Sequence, residues 1–314
     1  MDFLSNNFLA DFFLVALRWI HSIIQDYSLA IILLTILLRA VMLPLDLKQR
    51  KNTLRMSQVQ PELELLKKKF GNNPQQLQAK QKELYAEMGV KPLGGCLPMI
   101  LQMLIFFAFF GAMRVLANEQ TISLILNAVH LGPETAKIPG WLWVHNFWQP
   151  DSGFSQVLPT AQEFSSFVIT NAKGITPQTL SILQQNGLIT FGTSGLAVNS
   201  TAYDALTAAM VKGNGLTGVM NGWFILPIIA GGSLFLQQKF AAAGGQMGAQ
   251  QQQMKFMLWF FPLFSIYICA TSNTAFAVYW LASNVYAIGQ QLIINYLTSK
   301  KNKTPLVQKE AKKE

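Results

Sequence analysis

Residues 35 to 44 read TILLRAVMLP, which places Arg39 inside a run of leucine, isoleucine, valine and methionine. From Tyr27 to Leu45 the chain has no other charged residue. A helix of about 20 apolar residues is long enough to cross the hydrocarbon core of a bilayer. The stretch therefore predicts a membrane-spanning helix with a positive charge near its middle.

The composition indicates an all-α polytopic membrane protein. Of the 314 residues, 51% are hydrophobic and only 12% are charged, which is too apolar for an ordinary soluble domain. The net charge of +9 comes from basic residues that lie beside apolar segments, so it indicates a membrane partner and no DNA. Cys96 and Cys269 form no paired motif and the three histidines are scattered, so we expect no disulfide, metal or other cofactor.

Five spanning helices are predicted. Residues 256 to 299 are uncharged but would form a helix about 66 Å long, twice the bilayer thickness, so the chain must turn inside them. The polar residues Thr271 to Thr274 mark that turn. The predicted spans are residues 27–47, 94–117, 220–238, 255–270 and 274–298.

The distribution of lysine and arginine predicts the orientation of these spans. Residues 48–93 and the tail 299–314 are rich in basic residues, whereas residues 118–219 contain only three lysines. Cytoplasmic loops carry the excess of positive charge. We therefore expect residues 48–93, 239–254 and 299–314 in the cytoplasm, and residues 1–26 and 118–219 outside.

The segments around the spans have predicted structures of their own. Residues 8–24 indicate an amphipathic interfacial helix. Within 48–93, Gly71, Asn73-Pro74 and Gly89 predict a cytoplasmic hairpin of two helices, one beginning at Pro61; a solvated loop that only fixes topology is the alternative.

The predicted outer loop begins with the aromatic residues Trp141, Trp143, Phe147 and Trp148, which are typical of a belt at the headgroup level. An insertion then covers about residues 156–219 and contains two short capped helices, from Thr176 to Gly187 and from Ser200 to Gly213. The insertion is interpreted as accessory, with a substrate-binding module as the alternative.

Polar residues inside the spans indicate where function lies. Arg39 is about 13 Å along the helix from Lys48, near mid-membrane, and apart from Asp46, which marks the end of the first span, the predicted spans contain no Asp or Glu as a partner. Thr35 lies one turn away, while Gln102 and Asn284 belong to other spans. Intramembrane amides usually hold helices together. An unpaired cation among several of them instead predicts a hydrated cavity that binds an acidic or anionic group from outside the chain.

Four stretches resemble the YidC family of membrane protein insertases. They are KPLGGCLPMILQMLIFFAFF (91–110), LLRAVMLPLDLKQRKNTLRMSQVQPELELLKKKFG (37–71), ILPIIAGGSLFLQQKF (225–240) and AVYWLASNVYAIGQQLI (277–293). The resemblance covers about residues 20–155 and 220–300. Leu104 and the turn TSNTAFAVYW (271–280) depart from the family pattern, since proline is common at both places, and residues 156–219 match nothing in the family core.

The resemblance implies five helices around a hydrophilic groove that is open to the cytoplasm and to lipid. It implies an insertase and assembly chaperone, without covalent chemistry, in the plasma membrane of a bacterium. The expected partners are nascent membrane proteins with acidic N-terminal tails, the ribosome, the Sec translocon and membrane lipids. The resemblance places Arg39, Thr35, Gln238 and Trp280 in the groove, the polarity pattern adds Gln102 and Asn284, and the hairpin residues Pro61, Lys67, Lys68 and Lys69 would receive clients.

Two other functions fit the residues alone. A transporter or channel for a small anion would use Arg39 as its binding residue, but such proteins are commonly built from paired repeats, and the two halves of this sequence show none. In a structural interpretation, Arg39 is a packing residue in a scaffold for membrane complexes, a role that can coexist with insertion.

Overall fold

The computed structural model describes residues 8–89, 97–170, 175–192, 195–241 and 251–302. Cys96, residues 242–250 of the predicted second cytoplasmic segment and residues 303–314 of the predicted tail lie outside them. The described chain is mostly helical, as predicted. Its helices are α1 (Phe8–Ile24), α2 (Tyr27–Phe70), α3 (Pro74–Glu87), α4 (Leu97–Leu131), α5 (Ala161–Thr170), α6 (Pro177–Gln185), α7 (Ser200–Gly213), α8 (Ile225–Ala241), α9 (Gln251–Thr271) and α10 (Thr274–Asn302).

One small sheet departs from the all-α prediction. Strands β1 (Ile189–Gly192) and β2 (Gly195–Val198) pair antiparallel, with Ile189 opposite Val198. They lie between α6 and α7, inside the predicted insertion. The insertion thus contains α5, α6, the strands β1 and β2, and α7. Its sequence indicates only the two capped helices.

Two helices in the described part of the chain are long and apolar enough to cross a membrane. They cover Tyr27–Asn52 and Ile100–Leu131, and Leu258–Thr271 is a shorter apolar helix. These segments overlap the first, second and fourth predicted spans. The count of five spans stays a prediction.

Helix α2 continues through both of its prolines. The sequence predicts a span that ends at residue 47 and a separate helix that begins at Pro61, whereas Pro44 and Pro61 both lie inside one 44-residue helix. A proline removes its own amide hydrogen bond and its ring crowds the carbonyl four residues earlier, but the turns on either side of this site can keep their hydrogen bonds. Helix α2 ends at Phe70, directly before Gly71.

Helix α3 pairs with the last turns of α2 to make the predicted hairpin. It begins at Pro74, and the side chain of Asn73 caps it by accepting a hydrogen bond from the Gln76 amide at 3.2 Å. Val59 and Leu63 of α2 and Leu84 of α3 form a small buried cluster. The charged residues of the hairpin therefore surround an apolar seam.

Contacts divide the chain into two units. The first comprises Met1–Leu34, Met103–Ala230 and Ser265–Trp280, and the second comprises Thr35–Gln102, Gly231–Phe264 and Leu281–Glu314. In the first unit, the insertion shares a hydrophobic core with α4. Ile125 and Ala128 of α4 are fully buried together with Phe164, Leu183 and Tyr203 of the insertion. The insertion is therefore packed onto α4 and is not a detached appendage.

Helix α1 and the aromatic segment both bury large apolar side chains. Helix α1 buries Phe13 and Leu17 and leaves Trp19 66% exposed, and its place at the membrane interface stays a prediction. Phe147 and Trp148 are buried at 5% exposure and therefore do not form an outward-facing belt. They pack edge to face, with ring centroids 5.2 Å apart, an arrangement that aromatic pairs prefer.

Candidate functional site

Within the second unit, the side chain of Arg39 on α2 contacts one residue of α10 and one residue of α4. Its Nε donates a hydrogen bond to Ser283 Oγ of α10 at 2.9 Å, and its Nη1 donates to Gln102 Oε1 of α4 at 3.2 Å. Its Nη2 also donates to Ser283 Oγ. The guanidinium of a half-buried side chain on α2 is thus positioned by neutral oxygens from two neighbouring helices.

No carboxylate neutralises this charge at close range. In the part of the chain that the structure describes, no carboxylate oxygen lies within 4.0 Å of the Arg39 guanidinium, in contrast to the ion pairs of Arg18 with Glu119 and of Lys80 with Glu83. Arginine remains protonated at physiological pH. Arg39 therefore presents a positive charge whose hydrogen-bond partners carry no negative charge.

Asp46, which the sequence indicates as the end of the first predicted span, does not end the helix. Helix α2 continues through Pro44, and Asp46 lies six residues before the end of the candidate span Tyr27–Asn52. It is half-buried, and Gln290 Nε2 of α10 donates a hydrogen bond to its Oδ2 at 3.3 Å. Asp46 is seven residues from Arg39, about 10 Å along the helix. It is the nearest acid along α2, but it is not an ion-pair partner of Arg39.

Helices α2 and α10 share three polar contacts, of which two are the hydrogen bonds of Arg39 with Ser283 and of Asp46 with Gln290. The third joins Arg50 Nη2, which donates, to Asn295 Oδ1. The sequence separations of the three pairs are 244, 244 and 245 residues. A separation that changes by only one residue along the series means that α2 and α10 run side by side in the same direction.

A second face of α10 contacts α8 in the same way. Asn284 Nδ2 donates to Ser233 Oγ at 3.0 Å, and Gln291 Nε2 donates to the Phe240 carbonyl at 3.4 Å. Both pairs are separated by 51 residues. Helices α8 and α10 are therefore parallel as well, and α10 bears polar contacts on two sides.

The remaining predicted groove residues lie in different surroundings. Thr35 is fully buried on α2, and Gln238 is half-buried on α8. Trp280 belongs to the first unit, where its Nε1 donates to Ser265 Oγ at 2.6 Å and its ring packs edge to face against Phe106. The structure thus joins Arg39 directly to Gln102, and Asn284 to Ser233, while Trp280 has partners of its own.

The residues predicted to receive clients lie on the surface of the hairpin. Pro61, Lys67, Lys68 and Lys69 are exposed. Lys69 also lines a shallow cavity of 310 Å³, together with Leu65, Leu66, Leu84, Lys80 and three glutamates. Exposed Lys80 forms an ion pair with Glu83 at 2.6 Å, which raises the pKa of the lysine. Among the described residues, no group of His, Cys, Asp and Glu could hold a metal ion.

Sequence reasoning missed Ser283, Asp46, Arg50, Gln290 and Asn295. A usable signal exists for the residues of α2. Residues 39, 46 and 50 are spaced by seven and four, which at about 100° per residue keeps them on one helix face. Ser283 carries no such signal, because its role depends on how α10 is rotated against α2.

Comparison with known proteins places the chain in a family. The family model described as "60Kd inner membrane protein" matches residues 19–302. A relative named "Membrane protein insertase YidC" from Clostridium tetani is 32% identical over 213 residues, which cover 67% of this chain and 88% of that protein.

Longer relatives carry the same name. The one from Chlorobium phaeovibrioides is 27% identical over 300 residues, covering 95% of this chain but 38% of that protein. The one from Anaeromyxobacter dehalogenans is 36% identical over 156 residues, covering 50% of this chain and 25% of that protein. The matched family model, together with the extent of the Clostridium tetani match, shows that this chain belongs to the YidC family.

Proposed function

We propose that this protein is a membrane protein insertase and assembly chaperone of the bacterial plasma membrane. It moves short N-terminal tails and transmembrane segments of client proteins into the bilayer, alone or with the Sec translocon. The observation that carries the proposal is the environment of Arg39, whose guanidinium is held by Ser283 and Gln102 without a carboxylate within ion-pair distance. The names of the relatives support the same function.

The client supplies the negative charge that Arg39 lacks. An acidic residue 4 Å from the guanidinium is attracted by about 1 kcal/mol in bulk water and by about 4 kcal/mol at an effective dielectric constant of 20. An acidic tail therefore gains interaction energy by leaving water for the groove. The tail can leave the groove again, because no covalent bond holds it there.

The membrane potential then completes the transfer. An outward movement of one negative charge through 100 mV gains about 2.3 kcal/mol, and this force acts outward only if the groove opens to the cytoplasm. The parallel course of α2, α8 and α10 supports the predicted topology. In a chain of alternating spans, the first, third and fifth run in the same direction.

An apolar surface beside the polar contacts accommodates the client's hydrophobic segment. Val285, Leu292 and Ile293 of α10 are 46% to 62% exposed, although Ser283 and Asn284 on the same helix are buried. A client helix can therefore contact lipid and α10 together while its tail is held at Arg39. Thr35 and Gln238 complete the proposed groove in the second unit, and the assignment of Trp280 to the groove rests on the family resemblance alone.

The exposed hairpin is the proposed reception site for clients arriving from the ribosome. Its lysines Lys67 to Lys69 follow Pro61 by two turns and face solvent. The N-terminus lies outside and the C-terminus in the cytoplasm in this proposal, as the lysine distribution predicts. Insertion needs no covalent chemistry and no cofactor.

The test is insertion of a small client into liposomes that contain the full chain. The client has one aspartate in its N-terminal tail, and a matched client has asparagine there. Arg39→Ala should lower insertion of the aspartate client at least 10-fold and leave the asparagine client unchanged. Arg39→Lys should retain most activity, since charge and not bidentate geometry is required.

Arg55→Ala is the matched control, because Arg55 is an exposed arginine on the same helix. It should behave as the unmodified protein with both clients. Equal insertion of the aspartate client by Arg39→Ala and the unmodified protein would refute the mechanism.

A further inference from the structure

Arg50 is a buried arginine with unused hydrogen-bond donors. Its side chain is 8% exposed, and only Nη2 donates, to Asn295 Oδ1. In the described part of the chain, its Nε and Nη1 are the buried side-chain atoms that have no hydrogen-bond partner. Buried charges are normally paired, so a binding partner outside the chain would explain this arginine.

The position of Arg50 along α2 limits what that partner can be. The candidate span Tyr27–Asn52 has 26 residues, about 39 Å of helix, close to the thickness of a bilayer with its headgroups. Arg50 is two residues from the end of this span and 11 residues, about 16 Å, from Arg39. In the proposed orientation, it lies at the depth of the cytoplasmic headgroups.

The surface around Arg50 fits a lipid. Asn295 is followed on α10 by Tyr296 and Leu297, which are 66% and 56% exposed, and Leu292 lies one turn before it. Exposed Lys48 and Lys51 flank Arg50 on α2. Basic pockets between helices on the cytoplasmic side bind phospholipid headgroups, and tyrosine favours this depth.

We propose that Arg50 binds the phosphate of an anionic phospholipid of the cytoplasmic leaflet, with the acyl chains against the exposed residues of α10. The inference rests on the orientation given under the proposed function. A phosphodiester offers an unbridged oxygen that accepts from Nε or Nη1 once the neighbouring side chains move aside. Asn295 fixes the guanidinium through the third nitrogen, and Gln291 Nε2 in turn donates to Asn295 Oδ1 at 3.2 Å.

The test measures binding of phosphatidylglycerol to the full chain in a maltoside detergent by native mass spectrometry. Arg50→Gln should weaken binding about 10-fold or more, because charge-assisted hydrogen bonds to the phosphate are lost. Arg50→Lys should bind more tightly than Arg50→Gln. The exposed Arg55→Gln is the matched control and should bind as the unmodified protein does.

Thermal unfolding separates lipid binding from a purely structural role. Without lipid, Arg50→Gln should be as stable as the unmodified protein or more stable, because a buried unpaired charge is removed. Phosphatidylglycerol should then raise the melting temperature of the unmodified protein and of Arg55→Gln, but not of Arg50→Gln. Equal destabilisation of Arg50→Gln with and without phosphatidylglycerol would overturn the proposal.

Three further probes identify the source of the anion. Diacylglycerol, which lacks the phosphate, should give no Arg50-dependent stabilisation. Inorganic phosphate that stabilises as much as the lipid would show a general anion site and overturn the lipid assignment. Displacement of phosphatidylglycerol by a peptide with an acidic tail, in the unmodified protein only, would make Arg50 a client site instead.

The experiments can refute the proposed lipid site and the proposed insertase function independently of each other. Arg39→Ala should lower insertion of the aspartate client at least 10-fold while retaining phosphatidylglycerol binding. If Arg39→Ala inserts normally but Arg50→Gln still loses the lipid, the function is wrong and the lipid site stands.

Discussion

The Asp151 carboxylate accepts hydrogen bonds from the residues at the start of α8, and its removal should destabilise the protein strongly. The carboxylate is fully buried. Its Oδ1 accepts from the amides of Trp223 at 2.8 Å and Phe224 at 3.1 Å, and its Oδ2 accepts from the Leu226 amide at 2.7 Å and from Trp143 Nε1 at 3.0 Å. Four donors therefore depend on one side chain.

The size of the effect follows from these four contacts. A buried donor left without an acceptor costs about 1 to 3 kcal/mol, so Asp151→Ala should cost at least about 4 kcal/mol. Whole proteins are stable by only about 5 to 15 kcal/mol. Asp151→Asn keeps one acceptor oxygen and should lose two of the bonds, about 2 kcal/mol at the lower limit.

The measurement is thermal unfolding of the full chain in detergent, followed by circular dichroism. In a chain of this size, about 2 kcal/mol corresponds to a fall in Tm of about 3 °C, and Asp151→Ala should fall further or fail to accumulate. Asp204→Asn is the control, because Asp204 is an exposed acid of the same unit. An Asp151→Asn protein that melts with the unmodified one would show that the carboxylate is dispensable.

Two further predictions concern other contacts. Asn284→Ala and Ser233→Ala, which break the buried bond between α10 and α8, should each lower Tm, and the double variant should lose less than the sum, with a coupling of about 0.6 kcal/mol; strict additivity would contradict the contact. Asp26 accepts a hydrogen bond from Ser28, which lowers the pKa of the carboxyl. Its contribution to stability is therefore present above its unfolded pKa of 3.8 and lost as pH falls through the lower folded value; Asp26→Asn should reduce that acid-dependent loss, and an unchanged pH profile would exclude it.

Local features of the fold are readable from the sequence because they depend on neighbouring residues. Asn73, Thr176 and Asn199 each cap the helix that follows, as the side-chain contacts show. A capping residue needs only the amide two or three positions later. Such helix starts can therefore be predicted from a few residues.

The helix boundaries predicted at two prolines are wrong. Pro44 and Pro61 indicate helix boundaries by their local chemistry, yet both lie within α2. Pro44 lies inside the candidate span Tyr27–Asn52, where the backbone has no water as a hydrogen-bond partner, so remaining helical costs less than breaking. The decisive factor is the surroundings of the helix, which the residues next to a proline do not encode.

The partners of Arg39 required the structure. The sequence identifies the arginine and Gln102, but it does not indicate that Ser283 and not its neighbour Asn284 faces α2. Adjacent helical residues point about 100° apart, so the choice depends on the rotation of α10. That rotation is set by contacts 244 residues away in the chain.

The nearly constant separations along α10 determine where the chain can change length. Deleting one residue between Ser283 and Asn295 would turn every later side chain by about 100° and shift it by about 1.5 Å, so contacts to both α2 and α8 would be lost together. Adding or removing residues between α8 and α9 leaves those contacts in place. In this protein, insertions and deletions are therefore expected in the connections between helices, while the number of residues from Arg39 to Arg50 and from Ser283 to Asn295 is fixed by packing.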